Sequence, residues 1–395
     1  MTEHNRSSRR EFLATSIVSL MSVAAISSRG RAARSDELLY VGTYTEGSHA
    51  DGIHLLRFDT GTGELRRSSV VHAGENPSFL AIHPRGHTLY AVNETIEWEG
   101  KAAGGVTAFD IAPTTGELAK LGQQPSEGGA PCYISVDRAG RVALVANYVG
   151  GNVAVLPIVD GTIGRSTHVV QHAGKGPNAE RQEGPHAHCI VTDPSNRFVL
   201  AVDLGVDRVL VYRLGDDGRL QHVVGGDAVL APGAGPRHIA FHPTLPLVYV
   251  ANELNSTVST FRFDAVRGAM SPVETKSTLP AGWTGTNYPA DIHVAPAGRH
   301  LYLSNRGHNS IAVYSVAERT GSLTLEQHIS TEGDWPRNFS LDPSGNWLLV
   351  ANQRSGSVIV LRCDPHTGRL SPTGRRLDIA RAVCLRFRAH TGVTA

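Results

Sequence analysis

The chain has 395 residues and 41 % hydrophobic content, enough to bury a sizeable core, and its formal charge of +1 gives no electrostatic case for nucleic-acid or membrane-surface binding. Its 42 glycines, 21 prolines and 6 % aromatic content fit many short strands joined by tight turns. No Pro/Ser linker or charge run divides the sequence after its first segment, so one closed architecture is expected.

Residues 1–34 read as a leader. Ser7-Ser8-Arg9-Arg10-Glu11-Phe12-Leu13 precedes a mildly apolar run from Leu13 to Ile26 and then small residues around Ala32-Ala33. A charged segment, a short apolar segment and a small-residue exit form the pattern of a cleaved export signal. The Arg9-Arg10 pair followed by Phe12-Leu13 resembles the twin-arginine signal, which engages the Tat export machinery and delivers folded proteins to the periplasm or medium. The apolar run is short and rich in Ser and Thr for a membrane span, so no stable insertion after cleavage is expected.

From residue 35 to 395 the chain repeats one unit. In GPRHIAFHPTLPLVYVANELNSTVSTFRFD, starting at Gly235, period-2 apolar alternation gives three strands: Arg237 to Phe241, Leu247 to Ala251 and Val258 to Phe263. Related units contain Pro77/Asn93, Pro131/Asn147, Ala187/Asp203, Pro236/Asn252, Pro289/Asn305 and Pro336/Asn352, each pair 16 positions apart. Repeats of about fifty residues with several strands each indicate propeller blades, because three strands cannot bury both faces alone. LLYVG at Leu38 and IHLLRFD at Ile53 supply a second and a third strand, and AVCLRF at Ala382 a first. Joining the chain ends gives a seventh blade and removes an exposed edge. The expectation is an all-β seven-bladed propeller closed by pairing N-terminal strands with the C-terminal strand.

Cys132, Cys189, Cys363 and Cys384 fall in or beside predicted strands, where Cys is usually a small buried hydrophobe. No CxxC spacing suggests a zinc cluster, and a Cys363–Cys384 bridge stays open. His186 and His188 are spaced as a metal pair on a strand would be, but no third ligand of matching spacing accompanies them. No metal or cofactor is called for. The repeated Asn anchors read as structural groups bonding turn backbone. Asp291 and His293 read as buried hydrogen-bonding residues.

Function in a propeller gathers where equivalent positions of several blades meet at the central channel. The residue after the Pro/Ala gives Ser78, Cys132, His188, Arg237, Ala290, Arg337 and Val383. The residue after the anchor gives Thr43, Glu94, Tyr148, Leu204, Glu253, Arg306 and Gln353. The two sets should share one end of the channel. Together they collect arginines suited to an anionic ligand, with carboxylates and an imidazole as candidate base and acid. The same groups could instead form a salt-bridge network that plugs the channel and keeps the blades in register.

GPHAHCIVTDPSNRFVLAVDLGVDRV from Gly184, GPRHIAFHP from Gly235, YVANELNSTV from Tyr249 and LYLSNRGHNSIAVY from Leu301 resemble the lactonase family of seven-bladed propellers. That family includes bacterial 6-phosphogluconolactonase and the fungal carboxymuconate-lactonizing enzyme, and the resemblance covers the chain after residue 37. It implies that His188, Arg237, Glu253 and Arg306 occupy functional positions; Arg337 and Glu94 follow from repeat position alone. On this reading Glu253 is the general base, Arg237 donates to the oxyanion, and His188 protonates the leaving ring oxygen. Arg306 and Arg337, with Glu94 and His186 nearby, hold the anionic group of a small lactone or sugar acid. Alternatives are cycloisomerase chemistry of the muconate type and a non-catalytic exported propeller that binds a sugar acid or protein. Export would favour a non-phosphorylated aldonolactone.

Overall fold

The computed structural model describes residues 36–45 and 52–388. The expected export signal, residues 1–34, lies outside the described residues. Thirty strands form seven antiparallel sheets, and no helix occurs among the described residues. Blades 1 to 6 start at Leu80, Pro131, Ala187, Pro236, Tyr288 and Pro336. Blade 7 joins Ala382–Phe387 to Asp36–Thr43, Ile53–Asp59 and Glu64–Val71. The C-terminal strand pairs with the N-terminal one from Leu39↔Phe387 to Thr43↔Ala382, as the split pattern predicts.

Each blade has a fourth, outer position that three-strand periodicity does not reveal. In blade 4 it is Ala269–Ser277, which is mostly exposed. In blades 2 and 3 it is broken into two short pieces, such as Thr162–Ile163 and His168–Gln171, that pair with the same third strand. An outer strand buries too little surface to impose alternation, so its sequence reads as loop. The second strands lie at the other extreme. Thr88–Asn93, Val142–Asn147, Leu247–Asn252 and Trp347–Asn352 are buried at every residue, between blade faces.

Recurrent hydrogen bonds tie neighbouring blades. Tyr40, Tyr90, Tyr249 and Tyr302 each donate from the second strand to a glycine carbonyl of the next blade: Gly116, Gly161, Gly321 and Gly368, at 2.7 to 3.1 Å. Those glycines have φ of 67 to 79°, a region that other residues reach only with strain. The Asn anchors reach back to the loop arriving from the preceding blade. Asn93 Nδ2 donates to Ala73 O, Asn147 to Ser126 O, Asn305 to Thr278 O and Asn352 to Thr331 O, all at 2.8 to 2.9 Å. Asn252 departs from this, bonding Thr257 and Ser259 in its own blade. All four cysteines are free and buried, so Cys363 and Cys384 do not pair.

Ring closure also has a side-chain lock, since Leu385 N donates to Asn338 Oδ1 at 2.7 Å. Deleting residues 382–395 should expose the edge of Asp36–Thr43 and abolish the cooperative melt, with oligomers appearing in size-exclusion chromatography. A monomer with an unchanged melting temperature would contradict the closure.

Candidate functional site

A register shift at the top of the inner strands aims the site. Pro236 pairs with Asn252 and His238 with Ala251, so Arg237 is looped out toward the channel. The same shift displaces Cys132 between Pro131 and Tyr133, His188 between Ala187 and Cys189, and Arg337 between Pro336 and Asn338. In blade 7 it displaces Val383. Blade 5 has a wider shift, between Pro289 and Ile292, that releases both Ala290 and Asp291. Bulges redirect side chains in this way and are tolerated where pairing ends.

The second set of positions arrives by a repeated hydrogen bond. Glu94 N donates to Asn76 O, Tyr148 N to Ala130 O, Leu204 N to His186 O, Glu253 N to Gly235 O and Gln353 N to Trp335 O. Asn76, Ala130, Gly235 and Trp335 have positive φ, which residues other than glycine reach with strain, whereas His186 in blade 3 does not. In blade 7 the equivalent bond runs from Tyr44 N to Arg381 O, and Thr43 pairs with Ala382 as an anchor. Tyr44 therefore takes the ring place expected for Thr43. Gly42 precedes Thr43 there, and with no Asn to mark the anchor the repeat alignment slips by one residue.

At the mouth, Glu253 binds three guanidiniums. Arg181 Nη2 lies 2.6 Å from Oε1, and Arg306 Nη2 lies 2.6 Å from Oε2. Arg237 Nε lies 3.0 Å from Oε2 as an ion pair, without the alignment of a hydrogen bond. Arg237 is 2 % exposed and Glu253 3 %. Burial alone would raise the Glu253 pKa, but Arg306, Arg237 and Arg181 outweigh it and hold the carboxyl far below its usual range. Burial lowers the Arg306 pKa to about 9 against the pull of Glu253, which leaves it charged at neutral pH.

Arg337 differs from these three. Its guanidinium lies 5.3 Å from the Tyr44 ring centroid and makes no hydrogen bond or ion pair among the described residues. Tyr44 itself donates to Glu94 Oε2 at 2.8 Å, and Ser78 donates to the same oxygen at 2.5 Å. Four arginines against Glu253 and Glu94 leave the mouth net positive.

His188 is buried, its Nδ1 3.7 Å from Cys132 Sγ, and its Nε2 has no hydrogen bond among the described residues. Burial, then the charges of Arg237, His238 and Arg337, push its pKa well below the ordinary 6.5, so the imidazole is neutral. Tyr148 packs edge-on to it at 5.6 Å. His186 is not drawn into the cluster. It stacks on Tyr148 at 4.5 Å and approaches Tyr148 O and Glu183 Oε1, forming the rim beside His188.

Arg181 was not legible in the repeat. It lies between the last strand of blade 2 and the first of blade 3, where no repeat position exists, and it also donates to Tyr148 Oη at 3.3 Å. Trp335, near both Arg306 and Arg354, and Tyr288, near Arg306 and Arg181, complete an aromatic rim.

One residue further along the inner strands a second layer fills the channel. Phe79, Tyr133, Cys189 and Cys384 form its apolar part, and His238, Asp291 and Asn338 its polar part. Asp291 and His293 hydrogen-bond to each other at 3.0 Å, but of the two only Asp291 is buried as expected, His293 being partly exposed. The salt-bridge network anticipated as an alternative forms in part at the mouth itself, where Glu253 pairs with Arg237 and Arg306, while Arg337 stays outside it among the described residues.

Fold and site together define a seven-bladed propeller with a cationic channel mouth. The model of the family "Lactonase, 7-bladed beta-propeller" matches residues 38–387. A 6-phosphogluconolactonase of Bacillus subtilis is 37 % identical over 88 % of this chain and 97 % of its own length. One from Cronobacter sakazakii is 34 % identical over 84 % and 93 %. The solved periplasmic gluconolactonase of Pseudomonas aeruginosa superposes with a TM-score of 0.84 at 33 % identity, covering 90 % of this chain and 99 % of that one. The chain belongs to the lactonase family of seven-bladed β-propellers.

Replacing Glu253 with Gln leaves buried guanidiniums uncompensated and should cost about 3–5 kcal/mol at neutral pH. Because the Glu253 pKa is depressed on folding, its stabilisation is present above the unfolded value of 4.5 and lost as pH falls through the lower folded value. The gap between the two proteins in urea melts should therefore begin to narrow as pH falls below 4.5 and keep narrowing toward the lower folded value.

Proposed function

We propose that this lactonase, a carboxylic-ester hydrolase, opens a sugar-acid lactone bearing an anionic group at the channel mouth. The observation that carries the reading is Arg337, a guanidinium without an acceptor among the described residues, in a mouth that is already net positive. Its planar fork suits a phosphate or carboxylate. Arg306 is the weaker candidate for that task, because it is committed to Glu253, Tyr288 O and Pro289 O.

Glu253 is a poor base in this setting. Both of its oxygens are engaged by guanidiniums that hold it ionised, so it gains little by taking a proton. Its role here is to hold Arg237 and Arg306. Neutral His188 is the better base, with Nε2 available. It takes a proton from water as the oxygen attacks the lactone carbonyl, and Arg237, through Nη2, stabilises the oxyanion. Collapse breaks the acyl carbon–ring oxygen bond, and the imidazolium returns the proton to the ring oxygen. The product is an open-chain hydroxy acid.

We also propose that residues 1–34 direct export. The Arg9-Arg10 motif supports it, as does likeness to a relative described as periplasmic. Changing Arg9-Arg10 to Lys-Lys should retain the protein in the cytoplasm on cell fractionation; unchanged export would exclude the Tat route.

Arg337→Ala should raise KM at least about tenfold for 6-phosphogluconolactone and leave gluconolactone unaffected in a pH-stat assay. Equal effects on both would remove the anion-binding role, and no turnover of either, or of a muconolactone, would remove the lactone reading. The acid limb of kcat/KM should lie below pH 6.5, since His188 is lowered from that value and must be neutral to act. His188→Gln should abolish turnover, whereas Glu253→Gln should weaken it and keep the limb. Loss of the limb in Glu253→Gln would restore the carboxylate as base.

A further inference from the structure

We propose that Asp291 and His238 are a positioning pair that sets the orientation of the Arg237 guanidinium for catalysis. The inference rests on the reading of Arg237 as the oxyanion donor and extends it one layer into the channel.

Arg237 Nη1 lies 3.2 Å from His238 Nε2 and 2.5 Å from Ala290 O. Guanidinium nitrogens only donate, so His238 Nε2 must present a lone pair. The proton then sits on Nδ1, which faces Asp291 Oδ1 at 2.9 Å. Acceptor on one side and donor on the other fix a single tautomer. Burial and the charge of Arg237 lower the His238 pKa to about 3, which keeps the ring neutral and the lone pair available.

Asp291 is held in turn from several blades. Its Oδ1 also accepts from Ile292 N at 3.1 Å, and its Oδ2 faces Asn338 Nδ2 at 2.5 Å, His293 Nε2 at 3.0 Å and Phe339 N at 3.3 Å. The amide of Asn338 cannot turn over, because its Oδ1 accepts from Leu385 N of the closing strand. The wide bulge of blade 5 is what frees Asp291 from the strand ladder, and Ser304 Oγ takes up its N–H at 3.0 Å.

The pairing has a consequence for geometry. With Nη1 held from below and Nε beside Glu253, the guanidinium plane is fixed at two edges, and Nη2 is left for the substrate. Without His238, Nη1 keeps a single acceptor, Ala290 O, and the plane can pivot about that contact and Glu253. A donor stabilises an oxyanion only when aligned with it, so losing the lower contact should lower kcat rather than raise KM.

The test uses the full-length chain and the lactone it turns over best. His238→Phe should lower kcat about tenfold or more with KM within about threefold of wild type. His238→Gln, whose amide oxygen can accept from Arg237, should recover most of that loss. Asp291→Asn would donate to Nδ1, move the proton to Nε2 and set donor against donor, so its kcat should fall as in His238→Phe. Equal losses in His238→Phe and His238→Gln, or no loss in either, overturn the proposal. If His238→Phe and Asp291→Asn do not fold, the nitrogen-15 spectrum of wild type, with His238 assigned by its absence in His238→Gln, decides. Nδ1–H with unprotonated Nε2 is expected, and the opposite tautomer overturns it. An active Arg237→Lys would remove the reading beneath the proposal, whereas an inactive one beside a fully active His238→Phe removes the proposal alone.

Discussion

The mouth depends on inner-strand residues that fail to pair, one in each of five blades and two in blade 5. The inner strand begins with a Pro or Ala opposite an Asn, Asp or Thr, and resumes pairing two or three residues later. The residue between leaves the ladder and turns to the axis. A bulge gives up local ladder hydrogen bonds, but the strand is buried between neighbouring blades and cannot relax elsewhere. Repetition of this small defect around a closed ring is what makes a site out of a scaffold.

The charges gathered there need each other. Four arginines near one axis would repel strongly in a buried setting, and each alone would be costly to desolvate. Glu253 satisfies three of them, and Arg337 is left beside Tyr44 with Glu94 one residue away. The cluster is therefore balanced on the Glu253 side and open on the Arg337 side. That asymmetry is what the proposed anionic substrate would use, and it sets the two candidate bases apart, one ionised and held, one neutral with Nε2 unbonded among the described residues.

Roles inferred from residue type changed once partners were visible. A Glu near a His and arginines reads as a base in the sequence, because carboxylates commonly are. Three guanidiniums on its two oxygens are what support the proposed role of a counterion that orients others. His238, unremarked in the repeat, becomes consequential because it sits between Arg237 and Asp291, residues from two blades.

The sequence by itself determined the blade count, the closing pair of termini and the two rings of mouth positions. Period-2 alternation and a fixed interval of 16 residues are local properties, and they are strong wherever strands are buried on both faces. For the same reason it named His188, Arg237, Glu253, Arg306, Arg337 and Glu94. Only the tertiary structure decided the rest. The outer strands are too exposed to carry a pattern, Arg181 comes from a segment outside the repeat, and Tyr44 stands one place past the expected Thr43. Which arginine is paired, which is not, and which nitrogen of His238 holds its proton depend on contacts between blades, and a linear pattern holds no record of those distances.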